Sequence, residues 1–192
     1  TSYTCVVDRW GNAFSATPSD GQLSEPLVPG LGINISTRGS QSWLEPDHPS
    51  SVAPWKRPRL TPNPALVMKD GELFMPVGTP GLDAQVQAMT QVFLNIVEFG
   101  MDPQQAIEMP RAVSYSFPAS SWPHPYMPGH LKLEGRFSEQ AIADLEALGH
   151  QVEVWPDWIE AAGGVCTIVV DRARGILLGG ADPRRESYTM GR

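Results

Sequence analysis

The chain opens on an alternating pattern of side chains that predicts a β-hairpin. Residues 3–7 and 13–17 are rich in β-branched, aromatic and small residues, and the short segment between them ends in glycine and asparagine. β-Branched and aromatic residues favour strands, whereas glycine and asparagine favour tight turns. The same pattern recurs at residues 65–77, with a turn at 69–71. We therefore predict two hairpins.

Three later segments carry the periodicity or the capping residues of α-helices. Residues 83–99 have an apolar stripe at helical spacing. Asp83, Asp102 and Ser138 stand where N-capping side chains are expected, before helices predicted over 83–99, 102–110 and 138–148. Apolar and β-branched runs predict further strands at 151–155, 165–170 and 175–178. About six strands and three helices indicate an α+β chain with mainly antiparallel sheet.

Two long connections have little regular pattern. Residues 20–64 and 117–129 are punctuated by glycine and proline, and they contain Trp43, Trp55 and Trp122. Long structureless connections in a compact domain are usually functional or held by another surface. The exposed aromatic residues predicted here indicate packing on a surface that this chain does not supply.

The composition narrows the class of protein. The 192 residues suffice for one domain with a sizeable core, so we interpret 1–192 as a single domain. The net charge of −7 argues against a nucleic-acid partner, and no apolar run approaches the ~20 residues that cross a bilayer. The histidines lack metal-ligand spacing, so neither metal nor cofactor is predicted. Cys5 and Cys166 favour two buried free thiols over the alternative, a disulfide.

The first residue has candidate chemistry of its own. If processing of a longer precursor creates this end, Thr1 carries a hydroxyl and a free α-amine on one residue. The amine can take the proton while Oγ1 attacks a carbonyl carbon. The alternative interpretation is that Thr1 is an arbitrary fragment end.

Four stretches match one protein family in order and near its spacing. They are residues 1–13, Lys56-Arg57-Pro58 with Pro64-Ala65, Gly78-Thr79-Pro80-Gly81, and Ala181-Asp182-Pro183-Arg184. The chain therefore resembles the small subunit of γ-glutamyltransferases, which are N-terminal-nucleophile hydrolases. The resemblance implies a four-layer αββα sandwich that is completed by a large subunit cut from the same precursor. It also allows a dimer of such heterodimers.

The resemblance implies a set of catalytic residues. Thr1 falls at the nucleophile, and Ser19 falls where the family has a second threonine that hydrogen-bonds it. Thr17 is a further hydroxyl nearby that is predicted to contact the substrate, and a simple turn remains the alternative for Thr17 and Ser19. Gly81 and Leu82 fall at a Gly-Gly oxyanion hole, where Leu82 can offer only its backbone N–H. Unpaired N–H groups before a helix suit that role, although a plain strand-to-helix turn is the alternative.

A cationic cluster is the first candidate for substrate binding. Arg38, Lys56, Arg57 and Arg59 are grouped in a chain of negative net charge. One interpretation is that these are solvated loop charges. In the family, however, the two stretches that correspond to these residues line the acyl pocket. An aspartate in the first of them holds the glutamyl α-amine. Residues 28–44 contain neither Asp nor Glu, so Arg38 and Arg59 are predicted to bind a carboxylate instead.

Other pocket positions also depart from the family pattern. Two serines that bind the α-carboxylate fall on Leu60 and Thr61, and an asparagine falls on Gly21. The sequence thus resembles the acylase and amidohydrolase branch, which includes cephalosporin (glutaryl) acylases and oxamate amidohydrolase. We predict a self-cleaving precursor whose small-molecule substrate is an amide with a carboxylate-bearing acyl group. The alternatives are a true γ-glutamyltransferase and a non-catalytic binding subunit.

Overall fold

The computed structural model describes residues 1–19 and 26–191. The strands are β1 (Thr4–Val7), β2 (Ala13–Ala16), β3 (Leu27–Val28), β4 (Ile33–Asn34), β5 (Ala65–Lys69), β6 (Glu72–Gly78), β7 (Ala112–Ser114), β8 (His130–Glu134), β9 (Gln151–Trp155), β10 (Cys166–Asp171) and β11 (Ile176–Ala181). The α-helices are α1 (Ala84–Val97), α2 (Pro103–Glu108) and α3 (Glu139–Ala147). Short 3₁₀ helices cover Arg38–Gln41 and Glu160–Ala162. Within the described ranges, no helix has the length and apolar character needed to cross a membrane.

A four-stranded antiparallel sheet in the order β11-β10-β6-β5 forms the centre of the fold. Met75 and Val77 of β6 are almost completely buried in the main hydrophobic core. They cluster with Ala88 and Val92 of α1 and with Ile107 of α2. Since burying a Met or Val side chain contributes roughly 1.5–3 kcal/mol, this contact fixes both helices on one face of the sheet.

The β1–β2 hairpin packs on the opposite face of the central sheet. Successive strand residues point to opposite faces, so Gly78 faces away from the helices that contact Val77. A Cβ atom at Gly78 would lie 2.1 Å from the ring of Tyr3, and glycine therefore permits this close approach. The Tyr3 hydroxyl lies 2.8 Å from Ser15 Oγ within the hairpin. The layers run from α1 and α2 to the central sheet to the hairpin, and both predicted hairpins are confirmed.

A second sheet, in the order β7-β8-β9, corrects the sequence prediction. Only β9 was predicted, and its pairing with β8 is parallel rather than antiparallel. β7 and β8 flank the proline-rich loop, and polar residues occupy several of their positions, including His130, Lys132 and Glu134. These strands lack the apolar alternation that identifies a half-buried strand, because part of their buried surface is ionic.

One of the three predicted helix caps is wrong. The side chains of Asp102 and Ser138 accept hydrogen bonds from first-turn N–H groups of α2 and α3, as predicted. Asp83 precedes α1, but its side chain makes no capping hydrogen bond. Its backbone is already helical, whereas a capping residue is normally extended. The carboxylate instead accepts the N–H of Ser120 at 2.8 Å and also the Ser120 hydroxyl.

Asp182 and Arg184, from the last of the four stretches singled out in the sequence, belong to a buried ionic network. Arg184 Nη2 lies 2.5 Å from Glu134 Oε2, and Arg184 Nη1 lies 3.1 Å from Asp182 Oδ1. Arg111 Nη2 lies 2.5 Å from Asp182 Oδ2. All four residues are buried, so each charge depends on its partners. Because Glu134 belongs to β8 and Asp182 follows β11, the network ties the second sheet to the central one.

Candidate active site

The β1–β2 hairpin brings Thr1 beside Ser19. Its register pairs Thr4 with Ala16, and the N–H of Ser2 donates to the Pro18 carbonyl at 3.0 Å beyond the last strand pair. This pairing places Thr1 Oγ1 2.6 Å from Ser19 Oγ. The predicted partners are thus adjacent, although seventeen residues lie between them in sequence.

Arg38 joins the two hydroxyls to a third. Its Nη2 donates to Ser19 Oγ, and its Nη1 donates to Thr61 Oγ1 at 3.3 Å. Arg38 begins the short 3₁₀ helix Arg38–Gln41, which presents the guanidinium to the end of the hairpin. Four residues predicted from the sequence, Thr1, Ser19, Arg38 and Thr61, therefore form one continuous chain of hydrogen bonds.

Gln41 belongs to this chain and was missed by the sequence analysis. It is 1% exposed, its Nε2 donates to Thr61 Oγ1 at 3.2 Å, and its Oε1 accepts the Thr61 N–H at 3.1 Å. A glutamine in a polar loop carries no signal of burial in the sequence. Only the folded structure shows that Gln41 fixes both the backbone and the hydroxyl of Thr61.

Gly81 and Leu82 lie in the turn between β6 and α1. Thr79 holds this turn in place, since its buried Oγ1 accepts the Gly164 N–H at 2.7 Å. Gly81 has φ of 133° and packs against Gly163, and Leu82 has φ of 49°. The hydrogen bonds found among residues 1–19 and 26–191 leave both N–H groups without a partner. Both residues lie directly before α1, and their role as oxyanion donors stays a prediction.

Two cavities lie next to these residues. The first, about 500 Å³, is bounded by Thr1 and by Pro80, the neighbour of Gly81. The second, about 340 Å³, is lined by Arg59, Thr61, Leu82, Asn63 and Asp83, among others. The structure thus groups the predicted Arg59, Thr61 and Leu82 around one space. Arg59 reaches that space rather than the hydrogen-bond chain that starts at Thr1.

Three polar atoms near the site are buried without a hydrogen-bond partner among the described residues. They are Thr17 Oγ1, Arg38 Nε and Asn63 Oδ1. Leaving such atoms unpaired typically costs about 1–3 kcal/mol, so they are suited to meet a ligand or another chain. Asn63 was not predicted from the sequence. Gly21, where the family's asparagine falls, lies outside the described residues.

Other reactive groups on the first cavity are poor nucleophiles. Burial raises the pKa of the Cys166 thiol and of the Tyr3 phenol, both of which line this cavity with Thr1. Both groups are therefore held in their neutral forms. Cys5 and Cys166 are free thiols, as predicted, but both are half-buried rather than buried. The described residues contain no cluster of three metal-ligating side chains.

Comparison with known proteins places the chain in a family. The family profile described as gamma-glutamyltranspeptidase matches residues 1–191. The chain belongs to the gamma-glutamyltranspeptidase family. It is 36% identical over 193 positions to the glutathione hydrolase-like YwrD proenzyme of Bacillus subtilis (strain 168), with 100% of this chain and 35% of that protein covered.

A second relative is named for a different activity. The chain is 36% identical over 194 positions to the oxamate amidohydrolase proenzyme of Klebsiella pneumoniae subsp. pneumoniae. That match again covers 100% of this chain and 35% of the relative. This gamma-glutamyltranspeptidase-family chain thus spans about a third of the length of the curated relatives it matches.

The structural comparison agrees with the family assignment. An acivicin-inhibited gamma-glutamyltranspeptidase superposes with a TM-score of 0.79 at 25% identity, covering 97% of this chain and 100% of that one. The chain therefore has the α+β fold of the family's N-terminal-nucleophile hydrolases. Helices α1 and α2, the central sheet and the hairpin form three stacked layers, which is consistent with the predicted αββα sandwich.

Proposed function

We propose that this gamma-glutamyltranspeptidase-family chain is the small subunit of an amide hydrolase whose nucleophile is Thr1. The observation that carries the proposal is the 2.6 Å contact between Thr1 Oγ1 and Ser19 Oγ. A nucleophilic hydroxyl must be held in place and lose its proton as it attacks, and this contact meets the first need. Both relatives are named as proenzymes, which supports maturation by cleavage immediately before Thr1.

The reaction we propose passes through an acyl-enzyme on Thr1. The α-amine of Thr1 takes the hydroxyl proton while Oγ1 attacks the amide carbon, and that proton then leaves with the amine product. Water next attacks the ester carbon, gives one proton to the α-amine and releases the carboxylic acid, and the proton returns to Oγ1. The free N–H groups of Gly81 and Leu82 stabilise the negative charge on the carbonyl oxygen.

The second cavity is assigned to the acyl group of the substrate. Arg59 lies on its wall, and Thr61, which also lines it, accepts a hydrogen bond from Arg38. A guanidinium matches the geometry of a carboxylate, so an anionic acyl group fits this cavity better than a cationic one. The oxamate amidohydrolase relative supports the same class of substrate.

A γ-glutamyl group is the second candidate, and Asp83 is the observation in its favour. Asp83 lines the same cavity and is an anion that an α-ammonium group requires. The name of the glutathione hydrolase-like relative points in the same direction. However, the Asp83 carboxylate already accepts two hydrogen bonds from Ser120, which is fully buried. An ammonium group would have to share it, so γ-glutamyl hydrolysis or transfer ranks second.

The partner of this chain is proposed to be the large subunit from the same precursor. On the hairpin, Val6 and Phe14 are cross-strand neighbours and are 55% and 58% exposed. Trp55, in the loop before β5, is completely exposed. Large apolar surfaces of this kind usually mark a protein interface. The remaining two thirds of each relative supply a candidate to cover them.

The proposal is tested with the full-length precursor and its Thr1→Ala variant. Wild type is expected to cleave itself and to hydrolyse glutaryl or oxalyl amides, whereas Thr1→Ala remains one uncut chain without amidase activity. Thr1→Ser keeps a hydroxyl and an amine, and it should retain part of both functions. Normal cleavage of Thr1→Ala would refute the assignment. A wild-type precursor that neither cleaves nor turns over an amide would instead support a binding subunit.

A further inference from the structure

Ser19 stands between a guanidinium group and the nucleophile. Arg38 Nη2 donates to Ser19 Oγ, and the same oxygen lies 2.6 Å from Thr1 Oγ1. A guanidinium has no acceptor, so it must be the donor in the first contact. One lone pair of Ser19 Oγ is therefore committed to Arg38.

The charge of Arg38 favours one direction for the next hydrogen bond. Ser19 Oγ keeps one proton and one lone pair, so either hydroxyl of the pair can donate, but a charged donor on Ser19 Oγ polarises its O–H and makes it the better donor to Thr1 Oγ1. We propose that Arg38 is a positioning residue that makes Ser19 the donor to Thr1 Oγ1, an inference that rests on the proposed function. The Thr1 proton is then free to turn toward the α-amine that receives it.

The charge of Arg38 strengthens this arrangement during the attack. Hydrogen bonds from charged donors are shorter and stronger than neutral ones, and they polarise the next bond in a chain. As Oγ1 gives up its proton and attacks, the Ser19 O–H stabilises the negative charge that develops on it. Arg38 therefore lowers the barrier without touching the substrate.

The surroundings of Arg38 hold its guanidinium for this task. Nη1 donates to Thr61 Oγ1 at 3.3 Å, and Gln41 holds Thr61 by two further hydrogen bonds of 3.2 and 3.1 Å. Arg38 Nε is buried without a hydrogen-bond partner within the described ranges, and Arg38 lines neither of the two cavities. A substrate with a neutral acyl group therefore separates a positioning role of Arg38 from any effect of its charge on an acyl carboxylate.

The test uses the self-cleaved full-length protein and an amide with a neutral acyl group. With no carboxylate for Arg38 to hold, Arg38→Met is expected to lower kcat about ten- to a hundredfold on this substrate, the size of one lost charged hydrogen bond. In a Ser19→Ala background, the same substitution should change kcat by less than about twofold, since the Ser19 hydroxyl that links Arg38 to Thr1 is already absent. The exposed Arg9→Met is the matched control and should leave kcat unchanged.

Other outcomes separate failure of this inference from failure of the proposed function. An Arg38→Met effect that is confined to KM for anionic amides, or that adds fully to Ser19→Ala, overturns the positioning role. A wild type that hydrolyses no amide overturns the proposed function instead. Where Arg38→Met does not fold, Arg38→Lys replaces it in the same cycle, because it keeps the charge but cannot bridge Ser19 and Thr61. The rate of precursor self-cleavage gives a second readout with the same expected pattern.

Discussion

Thr1 Oγ1 and Ser19 Oγ lie 2.6 Å apart at the open end of one hairpin. The N–H of Ser2 donates to the Pro18 carbonyl at 3.0 Å, so the backbone pairing holds the two residues next to each other. A threonine at position 19 would preserve the pair of hydroxyls, whereas an alanine at either position would remove it. The contact between the two hydroxyls therefore depends on the hairpin register as much as on the two side chains.

The first prediction concerns Ser19. Ser19→Thr should keep kcat within about threefold of wild type, since the hydroxyl remains, and Ser19→Ala should lower kcat about ten- to a hundredfold through loss of one hydrogen bond to the nucleophile. Steady-state hydrolysis of a glutaryl or oxalyl amide measures both effects. Equal melting temperatures serve as the control for folding. Full activity of Ser19→Ala would show that the contact has no part in turnover.

The second prediction concerns the isolated chain. Without its partner, the exposed Val6 and Phe14 of the hairpin remain in water, and the 192-residue chain should aggregate or stay partly unfolded. Size-exclusion chromatography and thermal melting check this result, with the self-cleaved full-length protein as the control. Val6→Thr with Phe14→Thr should improve the solubility of the isolated chain and weaken its association with the large subunit. A soluble monomer with a cooperative transition would contradict the expectation.

The third prediction concerns the buried ionic network. Arg184→Met leaves Glu134 and Asp182 buried without their shared cation, which should lower the free energy of unfolding by about 3–5 kcal/mol. Arg172→Met is the matched control, because the pair of Arg172 with Glu72 is exposed and should contribute under about 1 kcal/mol. Chemical denaturation of the processed protein measures both variants. Equal losses in the free energy of unfolding would show that the buried network stabilises the fold no more than an exposed ion pair does.

The fourth prediction is a loss of stability at alkaline pH. Burial raises the pKa of Cys5, Cys166 and Tyr3, so the folded state holds their protons more tightly than the unfolded chain does. Ordinary values are about 8.5 for a thiol and about 10 for a phenol. The stabilising contribution is complete below those values and is lost as pH rises above them. The melting temperature of a variant carrying Cys5→Ala, Cys166→Ala and Tyr3→Phe should fall less steeply above about pH 8.5 than that of wild type, and parallel curves would refute this.

The strands and helices with a clear apolar pattern were predictable from the sequence. The stripe of α1 and the two hairpins follow from side-chain periodicity, which local physics determines. The polar strand β8 was not predictable, because the partners of the buried Glu134 include Arg184, which lies fifty residues away. The role of Asp83 likewise depends on Ser120, which reaches it through the long loop.

The candidate site likewise has a part that was predictable from the sequence and a part that was not. Thr1 and Ser19 were predictable because a tight hairpin joins them and the family resemblance names their roles. The link from Arg38 to Ser19 and the burial of Gln41 depend on how an irregular loop folds over the hairpin end. Such loops have no periodicity, so a sequence can supply the residue types of a site without supplying their contacts.

The fifth prediction concerns the choice of acyl group, and Asn63 tests it. Asn63 lines the second cavity with Arg59 and Thr61, and its Oδ1 is buried without a partner among the described residues. Wild type should hydrolyse glutaryl or oxalyl amides faster than γ-glutamyl amides, because the Arg59 guanidinium on the cavity wall attracts a carboxylate and repels an ammonium. Asn63→Asp adds a second anion to a wall that already includes Asp83.

Asn63→Asp should therefore reverse the preference of the cavity. The added carboxylate repels an anionic acyl group, so kcat/KM for a glutaryl amide should fall about ten- to a hundredfold, while kcat/KM for the γ-glutamyl amide rises. Asn63→Leu is the control of similar size without charge, and it should lower both values by a similar factor. Paired anilides of the two acyl groups give the ratio directly. If wild type already prefers the γ-glutamyl anilide and transfers it efficiently to glycylglycine, Asp83 supplies the anion, and the assignment of the cavity to carboxylate-bearing acyl groups is wrong.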